Sequence, residues 1–173
     1  MRESTERLWS EGLFTGLVGY GAAIVVVGAI DLLAGRSPFY TPALFGATLF
    51  YALKDPYGLV VTPGPVLAYN MVHLLAFLGL GLAVAWSARL AERYPSAQYL
   101  VLVLLLFVAF HVYAALLFFA QPLLGAAGWW KLGLGPVAAA IAMGGFLLAR
   151  HERLRGGLRD IPMGGGRWRP FTS

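Results

Sequence analysis

The chain has 173 residues, 59% of them hydrophobic and only 12% charged, too little polar side chain to clothe a water-soluble domain. It has no cysteine, which excludes disulfide scaffolds, thiol catalysis and cysteine-ligated metal or iron–sulfur sites. Its net charge of +5 comes largely from arginines near the ends of apolar stretches. That pattern suits anionic lipid and not nucleic acid, for which the tail offers only Arg167, Trp168, Arg169 and Phe171 and no folded basic module.

A helix that crosses about 30 Å of hydrocarbon needs about 20 largely apolar residues, and four segments qualify: 13–34, 66–88, 97–120 and 129–149. The expected fold is all-α, a polytopic four-helix membrane bundle forming one domain over 1–150, followed by a basic, flexible cytoplasmic tail over 151–173. The first span follows Arg2, Glu3, Glu6, Arg7 and Glu11, an acid-containing stretch unlike a cleaved signal, so it is expected to stay in the protein. Within it, Gly12 and Gly16 form a small-residue pair suited to close helix packing.

Between the first two spans lies an aromatic stretch with Phe39, Tyr40, Phe45, Phe50, Tyr51 and Tyr57. Thr41 before Pro42 reads as an N-cap with proline at the first helical position, and Lys54, Asp55 and Pro56 close the apolar run, which predicts a short helix over 42–53. At about 18 Å it is too short to cross and is expected either to lie in the interface or to be re-entrant. The fourth span is rich in small residues. Ala138 with Ala142, and Ala140 with Gly144, are spaced for close backbone approach, and Gly135–Pro136 is expected to loosen the first turn.

Arginine and lysine set the orientation. Arg2, Arg7, Arg89, Arg93 and the arginines from Arg150 onward flank one side, against Arg36, Lys54 and Lys131 on the other, so both termini are expected in the cytoplasm. His151, at the end of the last span, reads as a helix-end cation.

Polar side chains inside spans are costly and mark the candidate site. Asp31, Asn70, His73, His111 and Gln121 all fall toward the outer half. His73 lies about 13 Å deep counted from Gly64 and His111 about 15 Å deep counted from Gln121, within a helical turn of each other. Two such imidazoles can bracket the iron of haem b. They can equally serve as hydrogen-bonded glue with Asp31, Asn70, Tyr69 or Tyr113. A zinc or copper site lacks diagnostic ligand spacing, so no metal is expected. A quinone pocket walled by Phe77, Phe107, Phe110 and Phe118 is a further alternative. Ser87 is remote from His73 and Asp31, which excludes a serine nucleophile–base pair, and a single membrane carboxylate is too little for magnesium-dependent phosphoryl transfer.

Thr41-Pro42-Ala43-Leu44 with Gly46, His73 early in the second span, Trp129-Trp130 before an alanine-rich fourth span, and a basic end are together similar to the small four-span inner-membrane proteins of many bacteria. The resemblance covers most of the chain; it implies a bacterial inner-membrane location and brings no activity or site residues. The expected function is non-enzymatic, an accessory membrane subunit that packs against other helices of a larger complex or of its own copies. A haem b electron carrier using His73 and His111 is the alternative, and a small oligomeric transporter a further one.

Overall fold

The computed structural model describes residues 2–94 and 129–151, and these are all-helical with no strand among them. The helices are α1 (Arg2–Leu33), α2 (Tyr40–Tyr51), α3 (Pro63–Arg93) and α4 (Trp129–Arg150). Three of them contain stretches long and apolar enough to cross a membrane: Glu6–Leu33, Pro63–Leu90 and Gly133–Arg150. The expected span over 97–120, with His111 and Gln121, and the tail over 152–173 lie outside the described residues.

Helix α1 is the hub, packing extensively on both α3 and α4, while α3 and α4 barely touch each other. Its interface with α3 is set by glycine. A Cβ on Gly12 would stand 2.6 Å from Leu82 Cδ2, and one on Gly16 would stand 2.5 Å from the Phe77 carbonyl oxygen. A Cβ on Gly81 would collide with the Gly12 carbonyl and the Gly16 backbone. The two backbones therefore approach closely enough for dispersion and weak Cα–H contacts to hold them, the means of association available where no water drives apolar surfaces together.

The same contacts give register. Gly12 faces Leu82 and Gly16 faces Leu78, while Gly19 faces Met143 and Val27 faces Gly135. Residue numbers fall on α3 and α4 as they rise on α1, so α1 is antiparallel to both, and α3 and α4 run in the same direction.

The packed face of α4 is Gly135, Ala139, Met143 and Leu147, four residues apart and all buried. The expected pairs lie beside this face. Ala140 is exposed, Ala138 and Ala142 are only partly covered, and no described neighbour lies within 4 Å of a Cβ placed on Gly144. A step of four keeps residues on one helix face, and Ala139 occupies the centre of that face while its neighbours turn away. Pro136 sits inside α4, which continues through it from Trp129.

Helix α2 starts and stops two residues earlier than the sequence pattern predicts. Its N-cap position is Phe39, which makes no side-chain cap bond, and Thr41 lies inside the first turn. The helix is capped from another element: the Thr41 N–H donates to Asp31 Oδ2 on α1 at 2.9 Å. At its far end Ala52 adopts a left-handed conformation (φ 52°, ψ 45°) and the Leu53 N–H donates to the Ala47 carbonyl at 3.1 Å, a left-handed closure that folds Leu53 back onto Leu44 and Phe45. The segment from Ala43 to Ala47 is wholly buried, and Gly46 meets Pro65 so closely that any Cβ there would overlap the Pro65 carbonyl. Helix α3 opens with Thr62 as N-cap and Pro63 in the first turn, where a missing N–H is harmless.

Candidate functional site

The polar side chains of the described helices gather at three heights. At one end of α1, Glu11 accepts from Arg89 Nη2 at 3.1 Å through Oε2, while its Oε1 lies 2.6 Å from His151 Nε2. One largely buried carboxylate thus ties α1 to the ends of both α3 and α4. Long side chains make this possible, since each points back toward the amino terminus of its own helix and the antiparallel pair therefore lean toward each other. His151 is held by a specific partner and is more than a cation at a helix end.

At the other end, Asp31 is completely buried. Gly35, at φ 71°, turns the chain after α1 and lets it double back, bringing Pro38 beside Gly28 and the first turn of α2 onto the Asp31 carboxylate. A carboxylate at a helix N-terminus satisfies an orphan N–H and favours the positive end of the dipole. The Arg36 guanidinium lies over the Tyr40 ring, 4.4 Å from its centre. The Thr41 hydroxyl oxygen, also buried, has no hydrogen-bond partner among the described residues.

Between these ends lies an aromatic column on α3. Tyr69, His73 and Phe77 are spaced by four; the Tyr69 and His73 rings stack at 4.9 Å, and Phe77 meets His73 edge-on at 4.9 Å. Phe45 of α2 stacks on Tyr69 at 5.4 Å, and Tyr20 of α1 leans on both His73 and Phe77. The Tyr20 hydroxyl donates to Asn70 Oδ1 at 3.1 Å, and Asn70 Nδ2 donates to the Val66 carbonyl at 2.8 Å.

The expected outer cluster is therefore divided. Asn70 and His73 share the α1–α3 interface, whereas Asp31 is taken up by α2. His111 and Gln121 lie outside the described residues, so the histidine pair is represented here by His73 alone. Among the described residues no three His, Asp or Glu side chains converge as metal ligands. Two contributors, Glu11 and Arg89, escaped the site reading of the sequence. The available signal was their position: Glu11 directly precedes the Gly12–Gly16 pair, so it lies on the flank of the interface that those glycines close.

Two further hydroxyls are satisfied locally. Thr15 donates to the Glu11 carbonyl at 2.7 Å and Ser87 to the Ala83 carbonyl at 2.8 Å, each bonding back one turn within its helix. The arrangement provides helix joints: a shared ion pair, a cap supplied by another helix, and a ring stack with one interhelical hydrogen bond. No protein-family model, curated protein or solved structure matches the chain.

Proposed function

We propose that this protein is an accessory subunit of a membrane complex, a compact helical support without catalytic chemistry of its own, in a bacterial inner membrane. The observation that carries the reading is the use made of its polar side chains. Thr15, Tyr20, Asp31, Asn70 and Ser87 are each bonded to helix backbone or to a neighbouring helix, and Glu11 joins three helices. Polar groups spent in this way act as glue.

The reading includes four spans with both termini in the cytoplasm. Supporting the fourth is the shared direction of α3 and α4: α3 ends on the Glu11 side, α4 begins on the opposite side, and the sequence between them holds an apolar stretch of sufficient length at 97–120. Supporting the orientation is the excess of arginine on the Glu11 side, which also favours anionic lipid there. The partner class is other membrane helices, in a larger complex or a second copy of this chain.

One observation favours a second reading. Neither His73 ring nitrogen is hydrogen-bonded among the described residues, so the imidazole is available as a ligand to haem b, with His111 as the opposite one. A single preparation separates the readings. Gently solubilised protein is run on a denaturing gel, and its dithionite-reduced minus oxidised visible spectrum is recorded. Stoichiometric partner bands with a flat spectrum are the expected result. A sharp α-band that disappears in His73→Ala would replace the accessory reading with the electron carrier.

A further inference from the structure

The register between the helices locates heights along the bundle, and charges and tryptophans fall at matching heights on separate helices. Gly12 opposite Leu82 and Gly16 opposite Leu78 align α1 with α3; Gly19 opposite Met143 and Val27 opposite Gly135 align α1 with α4. With those alignments, the charge-free stretch of α1 between Glu11 and Asp31 and that of α4 between Lys131 and Arg150 begin and end within about one residue of the same two heights. Each is about 20 residues, or about 30 Å, the thickness of a bilayer's hydrocarbon core.

The tryptophans lie just beyond those limits. Trp9 on α1 and Trp86 on α3 stand within about one residue of the same height, less than a turn past the Glu11 limit, and both are exposed; Trp130 on α4 is exposed just past the Asp31 limit. Between the two limits the exposed side chains include Phe14, Leu17, Val25, Met71, Leu75 and Ile141, all apolar. Tryptophan at both boundaries with bare hydrocarbon between them is the pattern that a phospholipid bilayer selects.

We propose that the protein is seated with the hydrocarbon core running from the height of Glu11 to the height of Asp31, Trp9 and Trp86 in one headgroup layer and Trp130 in the other. This rests on the membrane-spanning reading above and adds its depth. Two consequences follow. The first turns of α1 and roughly the last three turns of α3 stand clear of the hydrocarbon, leaving the Glu11–Arg89–His151 contact at its edge, where Arg89 reaches up from the headgroup layer to meet Glu11. Helix α2 lies along the opposite boundary and is not re-entrant. Its contacts with Asp31, Pro65 and Tyr69 keep it within about 9 Å of that limit.

Depth-resolved fluorescence quenching tests this. Variants retaining only Trp9, only Trp86 or only Trp130, the other tryptophans replaced by Phe, are reconstituted in phosphatidylcholine vesicles brominated either near the headgroup or near the chain ends. Into a tryptophan-free version, Leu75→Trp and Phe50→Trp provide a mid-depth probe and an α2 probe. The proposal expects greater loss of emission from Trp9, Trp86, Trp130 and Phe50→Trp with shallow bromines, and from Leu75→Trp with deep ones. Deep quenching of any of the first three, or of Phe50→Trp, overturns the seating while leaving the membrane reading intact. Absence of quenching throughout, Leu75→Trp included, overturns both. Should tryptophan removal prevent folding, single cysteines in this cysteine-free chain, in lipid nanodiscs, ask the same question of a polar maleimide. Arg7→Cys and Ser37→Cys should react and Leu17→Cys and Leu75→Cys should not; the reverse order overturns the seating.

Discussion

At one end of α1 the Glu11 carboxylate meets side chains, Arg89 from α3 and His151 at the end of α4; at the other end the Asp31 carboxylate accepts from backbone, the Thr41 N–H in the first turn of α2. The first joint relies on long side chains, one of them the partly exposed Arg89, and can rearrange. The second is fully buried, and its donor is a backbone N–H that cannot change rotamer. A charge shared among flexible partners tolerates loss better than a charge buried against fixed N–H groups, because solvent and neighbouring rotamers can replace the former. The Asp31 end should therefore be the more brittle of the two.

Both ends depend on a glycine contact, and enlarging those glycines should give the largest effects. Gly81→Val would force side-chain atoms into the Gly12 carbonyl and Gly16 backbone, and Gly46→Val would do the same at the Pro65 carbonyl. Backbone cannot step aside as a side-chain tip can, so each change should destabilise by roughly 3 kcal/mol or more. Unfolding of reconstituted protein by titrated detergent, followed by far-ultraviolet circular dichroism, measures it. Near-wild-type stability in both would mean that the helix crossings are looser than these contacts.

Next in size is Asp31→Ala, which removes the cap of α2 and leaves the Thr41 N–H buried without an acceptor. A loss of about 2 kcal/mol is expected, with Asp31→Asn retaining part of the interaction. Hydrogen exchange should show the change concentrated in Tyr40–Tyr51, and a loss spread evenly over α1 and α3 would mean that Asp31 does more than cap.

Glu11→Gln should destabilise by about 1 kcal/mol, and here the comparison between the ends becomes sharp. Since one carboxylate holds two partners, Glu11→Ala combined with Arg89→Ala, or with His151→Ala, should cost less than the sum of the single changes. Additive losses would show that Arg89 and His151 act through partners other than Glu11.

The same contrast explains what the sequence could disclose. The apolar stretches of α1, α3 and α4 are legible because a bilayer-length run without charge has few other readings. The start of α2 is hidden from the sequence because its cap lies ten residues upstream on another helix, while Thr41-Pro42 offers a plausible local one. Small residues at 138, 139, 140, 142, 144 and 145 announce a packing helix without choosing its face, which the larger Met143 and Leu147 complete at the same spacing as Gly135 and Ala139. Glu11 read as one more charge in a charged leader, since nothing local distinguishes an acid that will meet Arg89 and His151 from one in water. His73 was visible as an oddity inside an apolar run, but its surroundings come from Tyr20 and Phe45 on other elements.

The smallest predicted effect has the opposite sign. Ala52 closes α2 in the left-handed region, where a Cβ crowds its own carbonyl and glycine is the usual occupant. Ala52→Gly removes that crowding, but it also frees the unfolded chain, and the two effects oppose each other. The steric relief of roughly 1–2 kcal/mol exceeds the added entropy of roughly 0.5–1 kcal/mol, so a net stabilisation of about 0.5–1 kcal/mol is expected. Because Leu53 returns onto Leu44 and Phe45 only through this turn, the gain should appear as slower hydrogen exchange in the last turn of α2 and leave the Glu11 end unchanged. A destabilised variant would mean that the turn draws its stability from the alanine methyl, and that the Asp31 end is held by packing more than by the conformation of its backbone.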